Sequence, residues 1–338
     1  MSCLLAARRH MGPFSPWLGA SRQNESEGNV NTTHRAYDEA AGDFKRLFLF
    51  MAYLGEYGRS HTTWCVGRLA DWKYALHENK TAAPAFCERN AELWFDGLGE
   101  LVAFALSEEG DADFTIVTLP GARFLFEPIL EWVRAHWDER GPLKIELTER
   151  QAAEAAILSR HGFRHEAPFA ARRYDLGGAL PLPVELPEGF RIVDMATHPD
   201  WRGLRLLRHN AFGGGGPVSE EVLAHQLAFY LNTHAGPVYH APTDLCVMAP
   251  DGRLVAGCEA LIDTRNNWAD VERVCTHNDY RRRGFARAVI VECFHRLRAM
   301  GLHAAFITGY SEAAMSLYGS LGDGIELIRH IYTRGARY

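Results

Sequence analysis

Along this chain, stretches with apolar residues every three or four positions alternate with short runs of mostly apolar residues, and the whole alternation occurs twice. In the second half the pattern predicts a strand at Gly189–Met195 and a helix at Asp200–Phe212 with Leu204, Leu207 and Ala211 on one face. The Gly213–Gly216 connector comes next, then a helix capped by Ser219 and running to about Tyr230. Strands follow at Leu245–Met248, Leu254–Asp263 and Ala269–Thr276, the first two joined by the turn Pro250-Asp251-Gly252. A long helix begins at Gly284, carries Phe285, Val289, Cys293 and Leu297 on one stripe, and stops at Gly301. A strand at His303–Thr308, a short helix at Glu312–Tyr318 and a strand at Ile325–Thr333 complete the half.

The first half predicts a similar order. Helices are expected at Asp38–Leu54 and Thr63–Leu76, then strands at Ala91–Phe95, Glu100–Leu106 and Phe114–Leu119. A helix at Phe124–Trp137, a strand at Leu143–Leu147, a helix at Gln151–Arg160 and a strand at Arg164–Leu176 follow. His161-Gly162-Phe163 corresponds to Leu321-Gly322-Asp323, an offset of about 160 residues, which is the length of a whole domain rather than of a solenoid repeat. The expected fold class is α/β with a mixed sheet. Its organisation is a disordered tail over residues 1–31, one domain over 32–180 and a second over 188–338, joined through a proline-rich connector (Pro181, Pro183, Pro187).

Composition narrows the function. A net charge of −6 argues against nucleic acid as the main partner, because such binding is dominated by phosphate neutralisation. No apolar run approaches the length that crosses a membrane. The apolar stretch Cys3–Ala7 is too short for a signal-peptide core, and a disordered tail or a start at Met11 is expected instead. The 7 cysteines contain no C-x-x-C pair and are odd in number, which fits reduced thiols and a cytoplasmic protein. The histidines show no zinc-ligand spacing, so no metal is expected.

The segment with most chemical content is Arg281-Arg282-Arg283-Gly284-Phe285-Ala286, between a strand and a long helix. The first N–H groups of a helix lack internal acceptors and lie at the positive end of its dipole. Gly284 permits close approach to the backbone, Ala286 keeps the first turn slim, and the arginines can pair with phosphate. This is a candidate pyrophosphate cradle. Neither a G-x-x-x-x-G-K-[ST] loop nor a G-x-G-x-x-G turn occurs, which removes support for nucleotide hydrolysis and for the common NAD site.

Three blocks together resemble the GNAT acetyltransferases: Val274-Cys275-Thr276-His277, Arg281-x-x-Gly284-x-Ala286, and Ser311-Glu312-Ala313-Ala314-x-x-Leu317-Tyr318-x-x-Leu321-Gly322. The resemblance covers residues 189–335 by motif and 36–178 by element order alone. It implies two tandem GNAT-like domains and an acetyl-CoA-dependent N-acetyltransferase acting on a small-molecule amine. Under it, Val274, Cys275 and Thr276 hold the pantetheine arm through strand-like hydrogen bonds. Arg281, Arg282, Arg283, Gly284, Phe285, Ala286 and Arg287 hold the diphosphate, with Ser311 nearby, and Tyr318 protonates the leaving thiolate.

A carboxylate on the Ala269–Thr276 strand is the expected base, Glu272 ahead of Asp270, with Glu259 and His277 also candidates. Strand alternation places Asp270, Glu272, Val274 and Thr276 on one face. Two departures from the family pattern, Ser311 and Gly322-Asp323-Gly324, leave room for a non-catalytic acyl-CoA-binding or regulatory module, and transfer of a longer acyl or aminoacyl group on the same scaffold is a third reading. The first half reads as a degenerate copy. Leu119-Pro120-Gly121-Ala122-Arg123-Phe124-Leu125-Phe126 lacks the cradle spacing, and Leu158 stands where Tyr318 does. The tryptophans Trp64, Trp72, Trp94, Trp132 and Trp137 are expected in packing.

Overall fold

The computed structural model describes residues 31–55, 62–74, 85–166 and 168–335. The expected disordered tail lies, but for residue 31, outside them. In the first half, strand β1 (Thr33–Ala36) precedes helices α1 (Asp43–Gly55), α2 (Val66–Tyr74) and α3 (Phe86–Asn90). Strands β2 (Ala91–Phe95), β3 (Leu101–Ser107) and β4 (Asp113–Thr118) follow, then α4 (Phe126–Trp137), β5 (Leu143–Thr148), α5 (Ala152–Arg160), β6 (Arg164–His165) and β7 (Phe169–Asp175). The second half comprises β8 (Arg191–Asp194), α6 (Trp201–Phe212), α7 (Glu220–His234), β9 (Tyr239–Met248), β10 (Leu254–Asp263) and β11 (Trp268–Thr276). It ends with α8 (Phe285–Ala299), β12 (Ala304–Gly309), α9 (Glu312–Gly319) and β13 (Ile325–Arg334).

Local chemistry explains the boundaries. The Asp200 carboxylate accepts from the Gly203 N–H at 2.8 Å and Ser219 Oγ from the Val222 N–H at 3.2 Å, which start α6 and α7. The stripe Phe285, Val289, Cys293 and Leu297 is wholly buried and seats α8 on the sheet. Five elements differ from expectation. The single strand expected over Arg164–Leu176 stands as two, β6 and β7, and α3 has no counterpart in the expected order. β1 was not legible, because its sequence Thr-His-Arg-Ala has no apolar face and its residues are mostly exposed. β9 begins six residues before Leu245. The helix expected from Phe124 starts with a 3-10 turn, Pro120–Leu125, and becomes α-helical only at Phe126.

All strands join one mixed sheet in the order β1-β2-β3-β4-β5-β13-β7-β12-β11-β10-β9-β8, with β6 continuing the ladder of β7 along β13. Each half therefore gives its last strand to the other. β13 pairs with β5 through Arg329↔Thr148 to Arg334↔Leu143, and β7 pairs with β12 through Ala304↔Asp175 to Gly309↔Ala170.

Helices cover both faces. α8 packs on one face of the second half, over Val255, Ala260, Val271 and Ile307. On the other face α6 packs over Cys246, Met248 and Cys275. α2, from the first half, shares a core with Leu261 of β10, so it covers part of the second half. Trp64 and Trp72 are buried in that shared core, Trp94 and Trp137 in the core under α4, where Trp132 packs partly buried.

Candidate active site

β11 and β12 run parallel and pair only over Trp268↔Ala304 to Val271↔Ile307. Beyond Val271, β11 continues to Thr276 along β10 while β12 turns away into α9. A wedge opens between the two strands. Among the described residues, no strand pairs with the β12-facing edge of β11 from Glu272 to Thr276. That edge offers backbone donors and acceptors to an extended, amide-bearing ligand.

At the mouth of the wedge, β11 carries a bulge. Glu272 pairs with Glu259 and Cys275 pairs with Gly257, so two β11 residues, Arg273 and Val274, oppose the single Cys258. Arg273 has φ +51°, a left-handed conformation that costs a side-chain-bearing residue about 1–2 kcal/mol. The bulge corrects the alternation expected from sequence. Glu272 and Cys275 face α6, as their partners Glu259 and Gly257 do, whereas Val274 packs in the core under α8. Val274 and Thr276 thus do not share a face with Asp270 and Glu272. Cys275 is buried against α6, which pushes its thiol up to about 11, and only its backbone reaches the edge.

The edge leads into the arginine turn. Arg282 (φ +64°) and Gly284 (φ +80°) are both left-handed, and Gly284 forms the N-cap of α8 with open space around it. Among the described residues, no backbone N–H from Arg282 to Arg287 is donated to a protein carbonyl, as an anion cradle requires. Arg281 and Arg282 are exposed. Arg283 lies over the Tyr280 ring at 5.1 Å, and Arg287 donates to Ser320 O at 2.5 Å. Phe285 is buried beside Phe190, so it contributes its N–H alone, and the half-buried Ala286 keeps the first turn slim.

The third block closes the wedge. Ser311 caps α9, accepting from the Ala314 N–H at 3.2 Å. Tyr318 is 7% exposed and packs against Gly309, where a Cβ would approach its ring to 3.3 Å. The Tyr174 hydroxyl, from the first half's last strand, donates to the Tyr318 carbonyl. Burial, then the Glu272 charge, hold the Tyr318 phenol well above its ordinary range, so it remains a neutral O–H donor.

Glu272 is half-buried, and its carboxyl is pushed up to about 8 by burial and by the neighbouring Asp270 and Asp71 charges, against the opposing pull of Arg68 and Arg329. Asp270 is buried on the same strand, and α2 lies so close over it that a Cβ at Gly67 would come within 3.7 Å of its Oδ2. The other candidate bases are engaged elsewhere. Glu259 accepts from Arg208 at 2.8 Å and contacts Arg273, and His277 accepts the Asp279 N–H at 3.3 Å.

Sequence reasoning named Glu259 only as a candidate base and missed the partners that join it to a largely buried ionic chain behind Glu272. Asp71, Arg273, Glu259, Arg208 and Asp244 alternate in charge, with Asp71–Arg273 at 2.6 Å and Arg208–Asp244 at 3.3 Å. One signal existed: Arg208 interrupts the apolar stripe Leu204, Leu207, Ala211. His234, Asp244 and Glu259 offer ligand atoms within 4.8 Å of one another, a cluster that histidine spacing did not reveal. Arg208 contacts both carboxylates, and burial with Arg208 and Arg273 nearby lowers His234 to about 3. Two guanidinium charges make this a poor place for a cation.

Residues 218–322 match the family model of the acetyltransferase (GNAT) family. The second half carries a GNAT domain. The wedge, the Arg281–Ala286 turn and the Ser311–Gly322 block fall inside the matched residues. No curated protein matches the chain. Among solved structures, a GCN5-related N-acetyltransferase from Sphaerobacter thermophilus is similar with a TM-score of 0.61 at 18% identity, over 90% of this chain and 95% of that one. A tandem GNAT protein from the clavulanic acid biosynthesis pathway is similar with a TM-score of 0.61 at 14% identity, over 91% of this chain and 100% of that one. These likenesses span both halves and establish a tandem GNAT fold.

The first half keeps the GNAT frame without the grip. β4 and β5 also part early, pairing only at Asp113↔Lys144 and Phe114↔Ile145. The following turn is closed, however. The Ala122 N–H is donated to the Leu119 carbonyl, and Arg123 is tied to Glu154 at 2.5 Å. Phe126 is buried, and the buried Leu158 replaces the tyrosine.

Proposed function

We propose that the protein is an acetyl-CoA-dependent N-acetyltransferase for a small-molecule amine, with its chemistry in the second half. The observation that carries this reading is the continuity of the unpaired β11 edge with the undonated amides at the start of α8. An extended pantetheine arm fits the first and a diphosphate fits the second. Acetyl-CoA would be held by backbone groups of Val274–Thr276 and Arg282–Arg287, with Arg281 and Arg282 adding charge.

The thioester would then lie in the wedge, between Glu272 and Tyr318. Glu272 faces away from α8, so the amine approaches from the α2 and α6 side. An amine attacks the thioester carbonyl as its proton passes to Glu272, directly or through water, and the collapsing intermediate expels the CoA thiolate. The Tyr318 O–H donates to that sulfur. A base titrating near 8 is well matched to an ammonium group, because it is largely able to accept a proton where the free amine is available.

The test is thiol release from acetyl-CoA across a panel of small amines. Release that depends on one or a few amines supports the reading. CoA binding without amine-dependent release would instead favour a non-catalytic acyl-CoA module, and release only from longer acyl donors would reassign the acyl group.

A further inference from the structure

We infer that Asp71, on α2 of the first half, is a positioning residue that holds the β11 bulge of the second half, and through it both Glu272 and the Val274–Thr276 edge. This inference rests on the acyltransferase reading for its catalytic consequence, but not for its structural one.

The bulge depends on Arg273 keeping a left-handed backbone, which an arginine adopts only when its surroundings demand it. Its side chain is nearly buried and reaches two carboxylates: Asp71 Oδ1 at 2.6 Å, and Glu259 across the ladder. Glu259 is already shared with Arg208 at 2.8 Å. Asp71 is therefore the acceptor that balances the charge of Arg273. A helix of one half supplies the counter-ion for a strained residue in the other.

α2 is anchored so that it can do this. Arg68, one turn before Asp71, is clamped to Glu108 at 2.6 Å and Glu146 at 2.9 Å, both in the first half. Burial works against its charge, but Glu146 and Glu108 outweigh that and hold its pKa well above the ordinary value. Gly67 lets the helix lie close on β10, since a Cβ there would come within 3.1 Å of Leu261. A rigid α2 thus carries Asp71 to a fixed place above the bulge. This gives the first half a task although its own cradle is closed.

The same carboxylate acts on the base. Glu272 is faced by Asp270 on its own strand, Asp71 and Arg68 on α2, Arg329 on β13 and Glu259 on β10, with the Tyr310 and Tyr318 phenols alongside. Asp71 favours the protonated form of Glu272. Removing its charge also leaves Arg273 less neutralised, which acts in the same direction.

The experiment compares the full-length wild type with Asp71→Asn and Asp71→Glu in three readouts: amide hydrogen exchange over β11, CoA affinity by titration calorimetry, and the pH dependence of acetyl transfer. In Asp71→Asn, exchange over residues 272–276 should accelerate about tenfold or more while β9 and β12 stay unchanged. CoA should bind several-fold more weakly, kcat should fall about 10- to 100-fold, and the pH midpoint should move below its wild-type value. Asp71→Glu keeps the charge but displaces the guanidinium by a methylene, so kcat should fall several-fold with the midpoint retained. It decides the matter if the Asn variant does not fold. Wild-type exchange over 272–276 in a folded variant, or a uniform loss of stability with kcat and midpoint unchanged, would overturn the inference. If the wild type transfers no acetyl group, the acyltransferase reading fails, and exchange and CoA affinity still decide the role of Asp71.

Discussion

Glu272 and Val274 are two residues apart on one strand, yet they project from opposite faces of the sheet. The bulge at Arg273 separates them, sending the carboxylate toward α2 and α6 and the valine into the core under α8. The cofactor edge and the acceptor face consequently meet at one turn of backbone without competing for space. Glu272→Gln should lower kcat/KM about 10²- to 10³-fold, with CoA affinity changed by less than about threefold. Steady-state kinetics with calorimetric binding checks this, and equal kcat/KM would move the base elsewhere.

The pH dependence follows from the same carboxyl. Acceptance of a proton requires ionised Glu272, so kcat/KM should rise with pH through a midpoint near 8. Stability should run the other way. The folded-state value of about 8 lies above the ordinary 4.5, so this group's contribution is fully present below 4.5 and is lost as pH rises through 8. Glu272→Gln should therefore have a higher Tm than wild type at pH 9 and the same Tm at pH 4, read by thermal denaturation.

Tyr318→Phe isolates the leaving-group role. Among the described residues the Tyr318 hydroxyl takes no protein hydrogen-bond partner, so its loss should alter Tm little. Turnover should fall about 10²-fold with CoA affinity nearly unchanged. A donor with a better leaving group should recover part of the loss, and a variant as fast as wild type would remove Tyr318 from the reaction.

Gly284→Val places a β-branched side chain at φ +80°, at the point where a diphosphate would meet the α8 amides. CoA binding should weaken about tenfold or more, by the 1–2 kcal/mol scale of left-handed strain plus lost approach. Gly121→Val, at the corresponding turn of the first half, should leave CoA affinity unchanged.

Because β13 lies against β5 and β7 against β12, the halves share their ladders. Calorimetry should show one unfolding transition rather than two. Removing residues 325–335 should destabilise the first half as well as the second, seen as faster hydrogen exchange in β5.

Much of this site was readable from residue order. The α8 stripe, the Gly284 turn and the Ser311 cap each follow from local chemistry, and the structure places them as their spacing suggests. Two features were not. Periodicity assumes that alternate strand residues share a face, and nothing in Glu272-Arg273-Val274 announces that an arginine will take a glycine-like conformation. The strand exchange depends on which of two similar sheets each terminal strand meets, and the alternation within a strand does not say which edge it joins. Partly buried charges such as Asp71 and Arg273 were hidden for a related reason, since each pairs with the other across the two halves of the chain. Arg208 alone left a local trace, as a charge inside an apolar stripe.

On the reading proposed above, the chain holds one acyl-CoA, gripped by the second half with its sulfur between a carboxylate and a phenol. A crystal structure of the CoA complex tests it most directly. One CoA per chain is expected, its diphosphate on the Arg282–Arg287 amides, its pantetheine along Val274–Thr276 and its thiol near Glu272 and Tyr318. CoA seated at Leu119–Phe126, or a pantetheine arm outside the β11–β12 wedge, would contradict the account.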